Sequence, residues 1–316
     1  MTHSRARRVL VTGAGSGIGL EAALQPARRG DHVIVADRNP VGGVATVERI
    51  TRAGGSAEFR ELDLGEMSRI RILAADELAR ELPLDVLINN AGLLPPMVRS
   101  VTHDGFELEF GVAHLGHFAL TGLLLPALLR SECPRVVSVS SISHTGGRID
   151  FDDLQFERHY TSSLAYSSTK LACLMFAMEL QRRAATAGSI LISVAAHPGI
   201  STTPIASGWK KENRRKLGDR FELFAYNALT RLFGQTAAEG AQPLVFAASE
   251  PHVIGGGYYG PTGFKQMNGP PGRVRPAPHA LDEFVAARLW EESERLSAVR
   301  YDALAHSVQR PGPVDI

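Results

Sequence analysis

The chain has 316 residues, of which 44% are hydrophobic, and its formal net charge is +1. This composition is typical of a globular chain. The nearly balanced charge lacks the basic excess that nucleic-acid binding requires, so we expect no nucleic-acid partner. Its two cysteines, Cys133 and Cys173, are too few for a disulfide framework and lack metal-ligand spacing, which favours a reducing cytoplasm.

The first residues, MTHSRARR, are polar and lack the apolar core of a secretory signal. The most apolar run in the chain, ALTGLLLPALL at 119–129, is interrupted by Pro126 and is shorter than the roughly 20 residues of a membrane helix. We therefore expect no integral membrane segment.

Short β-branched runs alternate with longer amphipathic segments. Their nearly continuous apolar character indicates strands buried on both faces. The sequence therefore predicts a single α/β domain, a doubly wound parallel sheet of the Rossmann type with helices on both faces. The predicted strands are RVLVT (8–12), HVIVA (32–36), AEFREL (57–62), DVLIN (85–89), RVVSVS (135–140) and ILISVA (190–195).

The alternation breaks at residues 200–234, which we interpret as a lid over the substrate. We expect residues 1–7 to be a flexible N-terminus and residues 8–265 to form the main domain, including this lid. Residues 266–316 are predicted to pack on the same domain, with a last helical segment at 280–306.

A glycine-rich stretch, VTGAGSGIGLEAA, lies where the first predicted strand meets the first helix. Gly13, Gly17 and Gly19 allow a tight turn and let backbone amides approach a pyrophosphate at the helix N-terminus. Such a turn alone is also ordinary loop structure. Asp37 ends the second strand about 20 residues later, where a carboxylate binds the ribose hydroxyls of a dinucleotide. Together they predict dinucleotide binding.

Asp37 also bears on which dinucleotide binds. Its charge repels a 2′-phosphate, and Ser16 in the glycine loop supplies no compensating cation, so NAD is favoured over NADP. Arg38 is adjacent to Asp37 and keeps NADP open as the alternative.

Tyr166 and Lys170 lie four residues apart in YSSTK, which places them on one face of a helix. A free phenol ionises near pKa ~10, and a neighbouring ammonium brings that pKa toward the range of a working acid or base. The alternative is an ordinary exposed pair on a surface helix.

Four motifs follow one another along the chain: TGAGSGIG, NNAG (89–92), YSSTK (166–170) and HPG (197–199). Over about residues 8–260 the chain resembles the short-chain dehydrogenase/reductase family, and SSISHTGGRIDFDDLQFERHY is similar to its retinol-dehydrogenase-like branch. The resemblance implies an NAD(P)-dependent oxidoreductase, of the carbonyl reductase kind. It would interconvert a hydrophobic alcohol and its ketone or aldehyde with Tyr166 as general acid or base.

The resemblance also assigns residues to roles. Ser141 matches the family's catalytic serine, with Ser140 and Ser143 as its nearest rivals, and Lys170 would reach the nicotinamide ribose. Asn89 resembles the residue that ties neighbouring strands together. The expected catalytic residues are Ser141, Tyr166 and Lys170. The expected cofactor contacts are Gly13, Ser16, Gly17, Ile18, Gly19, Asp37, Arg38, Asp63, Leu64, Asn90, Ala91, Gly92, Tyr166, Lys170, Pro198, Gly199, Ile200, Ser201 and Thr203; no metal site is expected.

Two of these groups have distinct roles by resemblance. Asp63 and Leu64 would meet the adenine, with a solvated strand end as the alternative interpretation. Ile200, Ser201 and Thr203 would hold the nicotinamide carboxamide and so orient the ring for hydride transfer.

Position 113 departs from the family pattern. Relatives carry an asparagine there that helps hold a water linking the lysine to solvent, whereas FGVAHLGHF has Ala113. Alanine keeps a main-chain carbonyl that can still hold a water, but it lacks the amide. We therefore expect slower turnover without loss of hydride transfer. His114 and His117 are not evident replacements, because relatives carry both beside the asparagine.

The substrate is expected between the loop at 93–97, the segment from Ser141 to Tyr166 and the region after His197. Apolar residues in these regions indicate a small hydrophobic alcohol or carbonyl substrate. They are Leu94, Pro95, Met97 and Trp209. The basic run WKKENRRKLGDR (209–220) is interpreted as a solvated helix face rather than a contact for membranes or acidic substrates.

Two other functions remain open at this stage. One is a dinucleotide-binding protein with lost or reduced turnover, which only Ala113 supports. The other is a lyase or epimerase that uses bound nicotinamide transiently. A homo-oligomer is compatible with any of the three.

Overall fold

The structure is a computed structural model that describes residues 5–200 and 234–305. Within these ranges one sheet contains eight strands in the order β3-β2-β1-β4-β5-β6-β7-β8. Neighbouring strands are parallel except for the antiparallel pair β7–β8. The strands are β1 (Arg8–Thr12), β2 (His32–Asp37), β3 (Ser56–Glu61), β4 (Val86–Asn89), β5 (Arg135–Val139), β6 (Ile192–Ala196), β7 (Tyr258–Pro261) and β8 (Pro271–Arg273).

Helices cover both faces of the sheet, which confirms the predicted doubly wound α/β architecture. The longer ones are α1 (Gly17–Arg28), α2 (Pro40–Arg52), α3 (Met67–Ala79), α4 (His117–Leu128), α5 (Ser162–Thr186), α6 (Ala237–Ser249) and α7 (Glu283–Ser297). A short helix, α8 (Asp302–Ala305), follows them, and a π-helical segment, Phe110–Gly116, leads directly into α4.

The core has two layers because side chains alternate across a strand. On β1, Leu10 packs with α3, α4 and α5, whereas Val9 and Val11 pack with α1 and α6 on the opposite face. All five β1 residues are buried, as expected for a strand covered on both faces.

The six predicted strands are confirmed to within two residues at each end, while β7 and β8 were not predicted. Their sequences, YYGP and PGR, are only 4 and 3 residues long and include glycine and proline, so they carry little strand signal despite the two tyrosines. β7 instead adds to β6 through its backbone, and β8 returns beside it in a hairpin.

The predicted last helix at 280–306 is interrupted. α7 ends where Ala298 adopts a left-handed conformation (φ 51°), and α8 begins at Asp302. Trp290 on α7 and Tyr301 pack edge-on or tilted against Phe118 of α4. The predicted lid, apart from residues 200 and 234, lies outside the described residues.

Among the described residues, one helical stretch, 110–128, is long and apolar enough to cross a membrane. However, 89% of its apolar window is buried inside the protein, and Pro126 lies within the regular α4 rather than interrupting it. Its apolar character is therefore accounted for by its place in the core.

Candidate active site

The four motifs meet at one edge of the sheet: three follow the carboxyl ends of parallel strands, and YSSTK on α5 contacts Gly92 and Ser140 at the same edge. The glycine loop follows β1, NNAG spans the end of β4, Ser141 follows β5 and HPG follows β6. In open parallel sheets this edge is where ligands bind. The fold thus brings together residues that are up to 186 positions apart in the chain.

The glycine loop has a geometry that requires glycine. Gly13 and Gly17 have φ values of 65° and 55°, in the left-handed region. A Cβ on Gly19 would lie 2.1 Å from the Gly13 carbonyl oxygen. Ser16 precedes α1 and its side chain makes no capping hydrogen bond. A backbone cradle that side chains would fill, set before a helix N-terminus, fits the pyrophosphate of a dinucleotide.

Asp37 is fixed by the backbone around it. Its carboxylate accepts hydrogen bonds from the amides of Gly15 and Asn39, both at 2.8 Å. Arg38 beside it is exposed. The Asp37 carboxylate therefore sits directly against the glycine loop at the carboxyl end of β2.

We predicted that Asn89 ties neighbouring strands together. This prediction was wrong, because Asn90 makes that connection. The Asn89 amide donates to Thr121 Oγ1 on α4 (2.9 Å) and joins a strand to a helix. The Asn90 amide donates to the carbonyl of Thr12 (2.8 Å), and the backbone amides of Asn90 and Ala91 donate to Thr12 Oγ1. Asn90 thereby holds the ends of β1 and β4 together.

A hydrogen bond of Ser140 separates it from Ser141 as a candidate for the catalytic serine. Ser140 is buried and its hydroxyl donates to the backbone carbonyl of Lys170 (2.7 Å), so that hydroxyl has a structural role. Ser141 precedes a 3-10 turn, Ile142–Gly146, and its Oγ accepts from the Ser143 amide at 3.1 Å. Ser141 remains half-buried at the sheet edge.

Tyr166 and Lys170 share one face of α5, as predicted. Thr161 caps this helix by accepting a hydrogen bond from the Leu164 amide (3.1 Å). Lys170 Nζ lies 5.6 Å from the centre of the Tyr166 ring. The tyrosine is half-buried and the lysine is buried. The ammonium thus lies close enough to stabilise a phenolate.

A residue that the sequence did not indicate, Glu109, joins this pair. Its side chain is completely buried, and Oε1 lies 3.6 Å from Lys170 Nζ. Burial raises the pKa of Glu109 to about 7, although the nearby Lys170 ammonium acts to lower it. Burial opposes the charge on Lys170, but the Glu109 carboxylate outweighs it and raises the lysine pKa. One signal was present: Glu109 lies four residues before position 113, on the same helix face.

The carbonyl of Ala113 is not available in the way we expected. It accepts hydrogen bonds from Nδ1 of His117 (2.9 Å) and from the thiol of Cys173 (3.2 Å). These two donors occupy the carbonyl oxygen that was predicted to hold a water.

The two neighbouring histidines have structural contacts. Burial lowers the pKa of His117 to about 4, and its Nε2 lies 2.8 Å from Thr12 Oγ1. Burial lowers the pKa of His114 to about 3, and it packs against Phe110 and lies 2.8 Å from Ser293 Oγ. Both rings are therefore neutral core residues at neutral pH.

Other expected cofactor residues line the same edge. Ile18 and Ala91 are half-buried, and a Cβ on Gly92 would lie 3.0 Å from Lys170 Nζ. Asp63 Oδ1 accepts from the Gly65 amide (2.8 Å), whereas the Leu64 side chain belongs to the core.

The HPG turn is braced by the loop between β7 and β8. Gly199 has a φ of 69°, and the amide of Ile200 donates to the carbonyl of Met267 (2.9 Å). The carbonyl of Pro198 accepts from the Gln235 side chain (3.0 Å). Ser201, Thr203 and Trp209 lie outside the described residues.

Two of the predicted substrate regions touch each other. Tyr160 Oη donates to the carbonyl of Pro96, and Ser162 Oγ donates to that of Pro95, both at 2.6 Å. The loop at 93–97 is thereby held against the segment that precedes Tyr166. In the part of the chain that the structure describes, no group of three or more histidine, cysteine, aspartate or glutamate residues is arranged to hold a metal.

Comparisons with known proteins agree with this geometry. A family model described as short chain dehydrogenase matches residues 7–214. Human retinol dehydrogenase 13 is 39% identical over 298 residues, which cover 92% of this chain and 84% of that protein. An uncharacterised Mycobacterium paratuberculosis protein has a crystal structure with a TM-score of 0.75 and 38% identity, covering 93% of this chain and 94% of that one.

A more distant structure includes a bound cofactor. A Beutenbergia cavernae protein described as an NAD(P)-dependent gluconate 5-dehydrogenase, with NADP at low occupancy, has a TM-score of 0.62 and 25% identity. The alignment covers 81% of this chain and 94% of that one. The chain belongs to the short-chain dehydrogenase/reductase family, with retinol dehydrogenases among its relatives, and is an NAD(P)-dependent oxidoreductase of alcohols and carbonyl compounds.

Proposed function

We propose that the protein interconverts a long apolar alcohol of the retinoid type and its aldehyde, with Tyr166 as the general acid or base and NAD(H) as the preferred cofactor. The observation that carries this proposal is the buried Lys170 ammonium 5.6 Å from the Tyr166 ring, at the sheet edge that the glycine cradle shares. Neither Cys133, which is exposed, nor Cys173, which is buried, forms a disulfide. Free thiols of this kind support a proposed location in the reducing cytoplasm.

The bound nicotinamide would accept a hydride from the alcohol carbon or return one to the carbonyl carbon. In the oxidative direction Tyr166 takes the hydroxyl proton of the alcohol, and in the reductive direction it gives a proton to the carbonyl oxygen. Ser141 donates a hydrogen bond to the same oxygen and stabilises the charge that develops there. Lys170 favours the phenolate form of Tyr166 through its positive charge.

The apolar substrate is supported by two observations. Leu94, Pro95 and Met97 belong to the loop that lies against the segment before Tyr166. The human relative is named for retinol, a long apolar alcohol. A wall of this composition favours a hydrophobic chain over a polar sugar alcohol.

The proposed preference for NAD(H) rests on Asp37. Its carboxylate is held by the amides of Gly15 and Asn39, so it cannot easily turn away from a ribose 2′-phosphate. Isothermal titration calorimetry should give tighter binding of NAD(H) than of NADP(H), and Asp37→Ala should narrow the difference. Equal or reversed affinities of the unmodified enzyme would contradict the preference, and would instead indicate that the exposed Arg38 contacts the phosphate.

The proposed reaction is tested by following NAD(P)H absorbance with all-trans-retinol and retinaldehyde in mild detergent, and with a small polar alcohol as a control. Net absorbance change with the apolar pair supports the proposal. Product without net change would indicate a lyase or epimerase. Cofactor binding with neither product nor absorbance change across a wider alcohol and ketone panel would indicate a binding protein without turnover.

A further inference from the structure

Lys170 has charged or polar neighbours on two sides. On one side its Nζ lies 5.6 Å from the centre of the Tyr166 ring, and on the other it lies 3.6 Å from Glu109 Oε1. The side chains of Lys170 and Glu109 are 6% and 0% exposed. Because so little water reaches either group, the carboxylate is screened weakly from the ammonium and from the tyrosine beyond it.

The position of Glu109 is fixed by its surroundings. Its Oε2 accepts a hydrogen bond from the backbone amide of Leu93 (3.1 Å), in the loop that follows β4. A Cβ on Gly92 would lie 3.0 Å from Lys170 Nζ, 3.7 Å from Glu109 Oε1 and 3.9 Å from the Ala113 Cβ. These distances show that Gly92 leaves the space in which the ammonium and the carboxylate meet.

One oxygen of this carboxylate is incompletely paired. Among the described residues Glu109 Oε1 accepts no hydrogen bond. Its contact with Lys170 is therefore an ion pair without a hydrogen bond. Glu107 Oε1 also lacks a hydrogen bond within the described part of the chain, so what distinguishes Glu109 is its contact with the Lys170 ammonium beside Tyr166.

We infer that Glu109 is a positioning residue for the Tyr166–Lys170 pair: its carboxylate holds the Lys170 ammonium in place and offsets part of the positive charge that acts on Tyr166. This inference rests on the proposed function, in which Tyr166 exchanges a proton with the substrate oxygen. It also gives a reason why the chain retains a buried acid beside its lysine when position 113 offers only a methyl group.

The Glu109 carboxylate changes the electrostatic potential at Tyr166. The Lys170 ammonium stabilises the phenolate, whereas a carboxylate behind the ammonium opposes it. Removing the Glu109 charge should therefore favour the phenolate and move the basic form of the enzyme to lower pH. At the effective dielectric of protein interiors, one charge several ångströms away changes an ionisation by roughly one to two pH units.

Other titratable groups face this pair and bear on its pH dependence. From α5, Cys173 is buried and its pKa is raised to about 11, so its thiol is neutral. Burial raises the pKa of Tyr160, which precedes α5. On the segment that carries Glu109, burial lowers the pKa of His117 to about 4 and raises that of Glu107. Glu107 is therefore the second carboxylate that the experiment must control for.

The test compares the pH dependence of kcat/KM for retinol oxidation in the parent enzyme and in four variants. Glu109→Gln and Glu109→Met both remove the charge and keep a side chain of similar length. A change that appears in only one of them is therefore a packing effect of that substitution. Glu107→Gln is the matched control, because Glu107 is also fully buried and bonds the Phe110 amide (2.8 Å) rather than Lys170.

We expect the rising limb of the profile, which follows deprotonation of Tyr166, to move to lower pH by about one unit or more in Glu109→Gln and Glu109→Met, and by less than half as much in Glu107→Gln. Glu109→Asp, which keeps the charge, should lie between the parent and Glu109→Gln. Retained cofactor fluorescence and circular dichroism establish that each variant is folded, because a merely misfolded variant would lose kcat/KM at every pH alike.

The inference is overturned if the profiles of the Glu109 variants coincide with that of the parent, or if Glu107→Gln moves the limb equally. Tyr166→Phe separates this failure from failure of the proposed function. If Tyr166→Phe is inactive while the Glu109 profiles are unchanged, only the inference is wrong. If Tyr166→Phe retains the parent activity, the proposed role of Tyr166 is wrong and the inference is overturned with it.

Discussion

Two buried glutamates, Glu77 and Glu109, are held in opposite ways. Glu77 on α3 is 2% exposed, and its two oxygens lie 2.6–3.5 Å from three guanidinium groups. Glu109 is 0% exposed and pairs with one ammonium at 3.6 Å, with Oε1 lacking a hydrogen bond among the described residues. The three partners of Glu77 are Arg8, Arg60 and Arg80.

The difference separates structural charge from functional charge. A carboxylate bound by several guanidinium groups recovers much of the solvation that burial removes. A carboxylate with one longer contact recovers less, and its protonation responds to nearby charges. We therefore expect Glu77 to matter for stability and Glu109 to matter for the reaction.

The largest expected effect comes from changing Tyr166, the residue whose ionisation Lys170 and Glu109 influence. Tyr166→Phe should lower kcat by ~10² to 10⁴, because the hydroxyl that moves the proton is lost. Cofactor affinity should change little. Steady-state kinetics with calorimetric cofactor titration measures both, and a variant that keeps more than about a tenth of the parent activity would show that another group moves the proton.

The next effect is on stability at the other glutamate. Glu77→Gln removes the anion shared by the buried Arg8, the half-buried Arg60 and the exposed Arg80, so we expect the free energy of unfolding to fall by about 3 kcal/mol. Urea denaturation measures the change. A fall of less than about 1 kcal/mol would show that Glu58, which also contacts Arg8, Arg60 and Arg80, sustains the network alone.

Glu109 should also affect stability, but through pH. Folded Glu109 keeps its proton to about pH 7, whereas 4.5 is its ordinary pKa. Its contribution to stability is therefore complete below about pH 4.5 and is lost as the pH rises through about 7. At about 1.4 kcal/mol per unit, the parent should lose about 3.5 kcal/mol relative to Glu109→Gln over this interval. Parallel curves of unfolding free energy against pH would contradict the raised pKa.

The sequence predicted the parts of the fold that carry a local signal. Continuous β-branched runs such as HVIVA identify strands, because strands buried on both faces leave few polar positions. β7 has no such run, because only Tyr258 and Tyr259 of its four residues pack into the core and the strand pairs with β6 over two residues. The break at Ala298 was also hidden, because a non-glycine residue adopts the left-handed conformation there.

The site shows the same limit. The residues of the glycine loop and the Tyr166–Lys170 pair follow from spacing, because their roles depend on one turn or one helix face. Glu109 lies 61 positions before Lys170, and only the packing of the π-helical segment against α5 brings the two together. The sequence shows two acids among apolar residues in FELEFGV, Glu107 and Glu109, and does not indicate which of them contacts the lysine.

The smallest expected effect returns to position 113. Ala113→Asn adds an amide beside the lysine, and one hydrogen bond of about 1 to 1.5 kcal/mol in the transition state would speed hydride transfer up to roughly tenfold. The gain should be sought in single-turnover kinetics, because cofactor release can limit steady-state turnover. Transfer no faster than in the parent would indicate that Glu109 already supplies the polar contact that Lys170 needs.

The contrast between the two glutamates is tested most directly by measuring two quantities on Glu77→Gln and Glu109→Gln side by side: the midpoint of urea unfolding at one pH, and the pH midpoint of kcat/KM for alcohol oxidation. We predict that Glu77→Gln lowers the urea midpoint and leaves the kinetic midpoint in place. Glu109→Gln should move the kinetic midpoint to lower pH by about one unit or more. A kinetic midpoint that moves equally in both variants, or in neither, would contradict the division between structural and functional charge.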